Sequence, residues 1–140
     1  MNDPYSSTHA PEDEPTPAKQ RYWGSKFGYA LRGWKYGIRG QASFSVHFFF
    51  AALVLVAAAV LRCSLEQWCL LLLCIGGVLA TELVNSAFET LFRALDPQTR
   101  DNSWKALDIA AGAVLLMSIT AAIVGLLVFG QRLMEMYGPR

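Results

Sequence analysis

Ile109-Ala110-Ala111-Gly112-Ala113-Val114-Leu115-Leu116-Met117-Ser118-Ile119-Thr120-Ala121-Ala122-Ile123-Val124-Gly125-Leu126-Leu127-Val128-Phe129-Gly130 is a run of 22 residues without a charge. A helix of that length rises about 33 Å, enough to cross a hydrocarbon core about 30 Å thick. A buried core helix of a soluble protein is rarely so long and so uniformly apolar. The run therefore sets the class, and the rest of the chain is read as a membrane protein.

Upstream, Phe48 to Leu61 is unbroken apolar sequence, and extension back to Phe44 gives a first span over about 44–61. Arg62-Cys63-Ser64-Leu65-Glu66-Gln67 makes a short turn. A second span covers about 68–92 and the third about 106–130. Arg93 to Trp104, with Asp96-Pro97 as breaker, reads as the connection between them. The composition agrees, with 54% hydrophobic against 16% charged residues in 140. Its net charge of +1 gives no reason to expect nucleic acid as a partner.

The second span carries an anomaly. In Thr81-Glu82-Leu83-Val84-Asn85-Ser86-Ala87-Phe88-Glu89, the residues Glu82, Asn85 and Glu89 follow i, i+3, i+7 spacing and project from one helical face within roughly 60°. A charge at the centre of a bilayer helix costs roughly 2.5–3.5 kcal/mol on insertion scales, so two carboxylates on one stripe point to a protein-lined polar site. Glu82 is the candidate general base for an alcohol. Glu89, about 10 Å further along the axis, is a candidate magnesium ligand, because magnesium binds through one or two carboxylates together with substrate phosphates. Asp108, at the mouth of the third span, is a second acidic candidate. The alternative is that Glu82 and Asn85 only hydrogen-bond between helices. Because three spans leave much of the stripe facing lipid, a further subunit is expected to cover it.

Arg21 to Gly40 has its apolar residues Trp23, Phe27, Ala30, Leu31, Trp34 and Ile38 on one side and Arg21, Arg32, Lys35 and Arg39 on the other. That is the pattern of an amphipathic helix lying at the membrane interface. Its glycines weaken it as an isolated helix and suit close packing. Residues 1–20 hold four of the six prolines and the cluster Glu12-Asp13-Glu14, and are expected to form a disordered tail without the features of a secretory signal. Lys19, Arg21, Lys26, Arg32, Lys35 and Arg39 precede the first span, and Arg93, Arg100 and Lys105 flank the second connection, while the first turn offers only Arg62. The positive-inside rule then puts the amino terminus in the cytoplasm and the carboxyl terminus outside. The expected organisation is a tail over 1–20, a membrane domain over 21–134 and a short end over 135–140. Cys63, Cys69 and Cys74 lack zinc or disulfide spacing and read as small apolar residues. His47 reads as an interfacial hydrogen-bonding residue.

The element Glu82-Leu83-Val84-Asn85-Ser86-Ala87-Phe88-Glu89, followed by Asp108-Ile109-Ala110-Ala111-Gly112-Ala113-Val114, resembles the prokaryotic diacylglycerol kinase and undecaprenol kinase family. The likeness extends from about Phe27 to Phe129 and includes Ala30-Leu31-Arg32-Gly33. It implies an all-α enzyme of the bacterial inner membrane with three transmembrane helices and an interfacial helix. It further implies a homotrimer with sites shared between subunits, transferring the γ-phosphoryl group of Mg-ATP to a lipid alcohol, diacylglycerol first and undecaprenol as the alternative. The resemblance implies Glu82 as base, Asn85 as the residue positioning the reacting groups, Glu89 as magnesium and nucleotide ligand, Asp108 in the nucleotide site and Tyr29 near nucleotide and lipid.

Three positions depart from the family pattern. Gln41 stands where the family has a metal-binding glutamate and offers an amide oxygen in its place. Leu107-Asp108 replaces a Lys-Asp pair, leaving Lys105, three residues before Asp108, as the substitute cation. Arg93 replaces an acidic residue, and Arg93 and Lys105, both expected at the cytoplasmic mouth, are candidates to screen phosphate charge jointly. These departures motivate a reading of another class, a trimeric lipid-binding scaffold with weakened catalysis. A small proton-coupled transporter would also use buried carboxylates, but the chain lacks the internal repeat of many transporters.

Overall fold

The computed structural model describes residues 23–39 and 42–138. Residues 1–20, and with them the expected tail, lie outside the described residues, as does Gln41. Four helices follow in order: α1 Trp23–Ile38, α2 Ala42–Val60, α3 Leu65–Ala94 and α4 Pro97–Tyr137. The last three are long and apolar enough to cross a membrane, and α1 is the shorter amphipathic helix.

A bilayer offers no water to satisfy backbone amides, so an apolar chain that enters it forms helices with every bond internal. The hydroxyls on the spans obey the same demand. Thr81 donates to the carbonyls of Gly77 and Val78, and Thr120 to that of Leu116.

α2 and α3 form an antiparallel pair joined by a tight turn. The amides of Arg62 and Cys63 donate to the carbonyls of Ala59 and Ala58, and Arg62 has φ 51°. This is the hydrogen-bond pattern of a Schellman stop, with an arginine in the left-handed position usually held by glycine. Ser64 then caps α3 in a reciprocal box with Gln67. Arg132 of α4 donates to the Leu61 carbonyl at 2.8 Å, tying the third span to this turn. Beneath the turn Ala58, Leu71 and Val128 form the buried core, with Val54, Trp68, Val124 and Phe129 packed around it.

The connection expected over 93–104 is far shorter. Only Leu95 and Asp96 separate the two helices. The Asp-Pro pair ends nothing but that turn: Asp96 is the N-cap of α4, accepting from the Thr99 amide at 3.0 Å, and Pro97 occupies the first helical turn, where its missing N–H costs no bond. Hydrogen bonds from Thr99, first from its side chain and then from its backbone, hold the Asp96 carboxyl below its ordinary value. α4 also continues through Tyr137, beyond residue 134, where the membrane domain was expected to end.

These lengths position the site. α2, at 19 residues, rises about 28 Å and matches the hydrocarbon core, so its first turn marks one boundary. α3 and α4, at 30 and 41 residues, rise about 45 and 61 Å and project past that boundary as a helical hairpin. Their close approach passes Gly77, where an added Cβ would collide with Met117. α1 packs on the projecting part of α3, with Gly37 against Leu83: a Cβ at that glycine would lie 2.6 Å from Leu83 Cδ1. Close packing is thus realised at Gly37, while Gly24, Gly28 and Gly33 have open space. Phe27, Leu31 and Trp34 on the apolar stripe of α1 stay exposed, as an interfacial helix requires.

Candidate functional site

Antiparallel pairing about the Arg62 turn brings the first turn of α2 alongside Glu82. The Ser43 hydroxyl donates to Glu82 Oε1, and His47 Nε2 lies 3.8 Å from Glu82 Oε2. Ser43 and His47 are one helical turn apart and so address the same carboxylate from one face. Glu82 is only 3% exposed. It sits at the level of the first turn of α2, the end of that span rather than its middle.

One turn further along α3, the Asn85 side-chain amide donates to Glu89 Oε1 at 3.2 Å, and Arg93 Nη2 donates to Glu89 Oε2 at 2.9 Å. The Glu89 carboxylate is therefore gripped from both directions along its own helix. Arg93 and Glu89 are 70% and 34% exposed in their side chains, so the pair adds little to stability and remains accessible to a charged ligand.

Across from this row, α4 contributes Leu107, Asp108 and Ala111 to a cleft of about 290 Å³ whose other wall is Asn85, Glu89, Phe92 and Arg93. The structure thus gathers Asn85, Glu89 and Asp108 in one recess. Glu82 lies below them on the same helix. Tyr29 and Lys105 stand outside the residues lining the cleft. The Tyr29 ring is stacked under Arg32 at 4.7 Å, and the Lys105 ammonium lies 5.9 Å from the centre of the neighbouring Trp104 ring. Arg93, not Lys105, is the cation on the cleft wall.

Of the stripe, Glu82 and Asn85 are already buried within a single chain, with Ser43 and His47 of α2 against the Glu82 carboxylate, whereas the Glu89 side chain stays 34% exposed. The sequence reading left Ser43 out and gave His47 no link to Glu82; their i, i+4 spacing on an otherwise apolar helix was the available signal. Arg100, expected only as a cation flanking the second connection, also has a structural place. Its guanidinium donates to the Arg93 and Leu95 carbonyls and lies against the Phe92 ring at 5.7 Å, closing the exposed end of α3 beside the cleft.

These features define a helical membrane protein that collects its polar chemistry at one end of the bundle, on the boundary and just beyond it. Residues 28–129 match the prokaryotic diacylglycerol kinase family. The chain is similar to the undecaprenol kinase of Bacillus subtilis, with 32% identity over 103 residues, covering 74% of this chain and 84% of that one. It is also similar to the diacylglycerol kinase of Synechocystis sp., with 37% identity over 100 residues, covering 71% of this chain and 57% of that one. No solved structure gives a significant match. The chain belongs to the prokaryotic diacylglycerol kinase family, a multi-pass membrane lipid kinase that uses ATP.

Proposed function

We propose that the chain transfers the γ-phosphoryl group of ATP to the hydroxyl of a membrane lipid alcohol, with diacylglycerol as the leading acceptor and phosphatidic acid as its product. The observation that carries this reading is the order of groups along one face of α3: Glu82 buried at the hydrocarbon boundary, then Asn85 and Glu89 at the cleft shared with Asp108. A lipid hydroxyl lives at the first level and a nucleotide arrives at the second.

In this reading Glu82 takes the proton of the acceptor hydroxyl. The acceptor oxygen bonds to the γ-phosphorus, the bond from that phosphorus to the β-phosphate bridging oxygen breaks, and ADP leaves. Asn85 fixes Glu89 through the bond described, and Arg93 and Asp108 orient the nucleotide. Phosphoryl transfer asks chiefly for positioning and charge stabilisation, which a few groups at helix ends can supply.

Among the described residues no group of three or more His, Cys, Asp or Glu side chains forms a metal cage. Glu89, on the wall of the cleft, would hold magnesium jointly with the phosphates, and Gln41, outside the described residues, would offer a further oxygen ligand. When bound, the ion neutralises phosphate charge. We take the working unit to be a homotrimer in the bacterial inner membrane with its amino terminus in the cytoplasm, in keeping with the family likeness and the lysines and arginines before α2.

Undecaprenol is the second acceptor, favoured by the near-colinear match to the Bacillus enzyme, 84% of whose length is covered. Purified protein in mixed micelles with radiolabelled ATP and saturating magnesium should label one of the two lipids. Failure with both would reject the kinase reading. The scaffold reading is favoured by Leu107, an apolar residue on the cleft wall beside Asp108. A large gain from a near-inactive parent on Gln41→Glu with Leu107→Lys would support the scaffold.

A further inference from the structure

His47 occupies a junction. On one side its Nε2 faces Glu82 Oε2 at 3.8 Å. On the other its ring lines an apolar cavity of about 340 Å³ between α2, α3 and α4, bounded by residues such as Phe50, Val54, Val78 and Gly125. His47 and Ser118 are the polar side chains among its lining residues. The ring is 20% exposed, whereas Glu82 is almost closed off.

The two oxygens of Glu82 have different surroundings. Oε1 is engaged by the Ser43 hydroxyl. Oε2 faces the imidazole at a separation too long for a direct hydrogen bond. Two atoms 3.8 Å apart can nevertheless share one hydroxyl oxygen placed about 2.8 Å from each. Catalytic contacts are often long before substrate binds and tighten afterwards.

We propose that His47 is an acceptor-orienting residue of the lipid kinase: its Nε2–H donates to the oxygen of the acceptor alcohol while that hydroxyl donates its proton to Glu82 Oε2. The acceptor's hydrocarbon chain lies on the cavity side of the ring. The imidazole neither gains nor loses a proton in the step. This inference rests on the lipid-kinase reading and adds the group that aims the hydroxyl at its base. It differs from a packing role in what it demands at position 47, namely a donor at the reach of Nε2 rather than an aromatic volume.

The test compares His47→Gln, whose amide nitrogen reaches the same place, with His47→Phe, which keeps the ring and removes the donor. Lipid phosphorylation is measured in mixed micelles, with the lipid varied at saturating ATP and, separately, ATP varied at saturating lipid. The expected result is that Gln keeps kcat/KM for the lipid within about threefold of the parent, while Phe loses 10- to 100-fold with the KM for ATP unchanged. If Phe matches the parent, or Gln is as poor as Phe, or the loss falls on the KM for ATP, the role is refuted. Should Phe fail to fold, His47→Asn serves in its place, since its amide stops short of the Nε2 position and is expected to lose the same activity. An inactive parent with both acceptors would reject the kinase reading and this role with it, whereas an active parent with a fully active Phe variant rejects only the role.

Discussion

The two ends of the bundle are built on opposite principles. At the Arg62 end the polar groups of the turn serve the backbone: Ser64 and Gln67 cap one helix, Arg132 holds the Leu61 carbonyl while also pairing with Glu135, and Ala58, Leu71 and Val128 fill the space between. At the Asp96 end the side chains of Asn85, Glu89 and Arg93 bond to one another and leave a cleft open. Closed packing fixes the register of α2 on α3, and that register delivers Ser43 and His47 to Glu82 at the other end. On the proposed reading the first end serves shape and the second chemistry, so a substitution should move one property and spare the other.

The largest separation is expected at Glu82. Glu82→Gln keeps the volume and removes the proposed base, and should lower kcat about 10²- to 10⁴-fold, the usual contribution of a general base. Thermal unfolding in detergent should change little, because the amide still accepts from Ser43. A variant that keeps most of its turnover would break the division of labour.

Leu71→Ala is the converse. Large-to-small changes in a packed core cost about 2–5 kcal/mol in water-soluble proteins. In a membrane the lower part of that range applies, because lipid tails are as apolar as leucine and only packing is lost. The midpoint of thermal unfolding should fall while the KM for ATP holds. If instead the KM rises with no loss of stability, the two ends are not separable.

Arg93→Ala removes the cation from the cleft wall and is expected to raise the KM for ATP a few-fold without altering stability, since an exposed i, i+4 pair contributes about 0.3–0.5 kcal/mol. Lys105→Ala should have a smaller effect, given its place beside Trp104 rather than on the wall. Equal effects from the two, read from initial rates over a range of ATP concentrations, would reassign the cation.

The smallest effect is at the hairpin tip. Asp96 has a lowered folded-state value, so its contribution is present above the ordinary carboxylate value of roughly 3.9 and is lost as the pH falls through the folded one. Asp96→Ala should therefore lower the unfolding midpoint slightly at neutral pH. The difference from the parent should close in acid, as followed by circular dichroism.

Much of this was legible in the residues. The spans follow from apolar length, since a bilayer leaves a chain few other ways to satisfy its amides. Glu82, Asn85 and Glu89 share a face because helical periodicity requires it. The burial of that face was not legible, because it depends on how α2 is aligned with α3. That alignment is set at Arg62, whose left-handed backbone carries no glycine signature. The tight hairpin at Leu95 and Asp96 was missed because Asp-Pro ends and starts helices with the same letters. The spacing of Lys105 from Asp108 did not show that it stands outside the cleft lining, with its ammonium 5.9 Å from the Trp104 ring centre.

α2 is anchored at both ends, by the Arg62 stop and the Arg132 bond below and by the Ser43 hydroxyl on Glu82 above. It therefore works as a ruler of fixed length. A bilayer whose hydrophobic thickness departs from that length must thin, swell or tilt the bundle, at a fraction of a kcal/mol per Å of mismatch. Each adjustment shifts Glu82 relative to the plane in which lipid hydroxyls lie, so if Glu82 is the base as proposed, turnover is expected to vary with acyl-chain length in the host membrane.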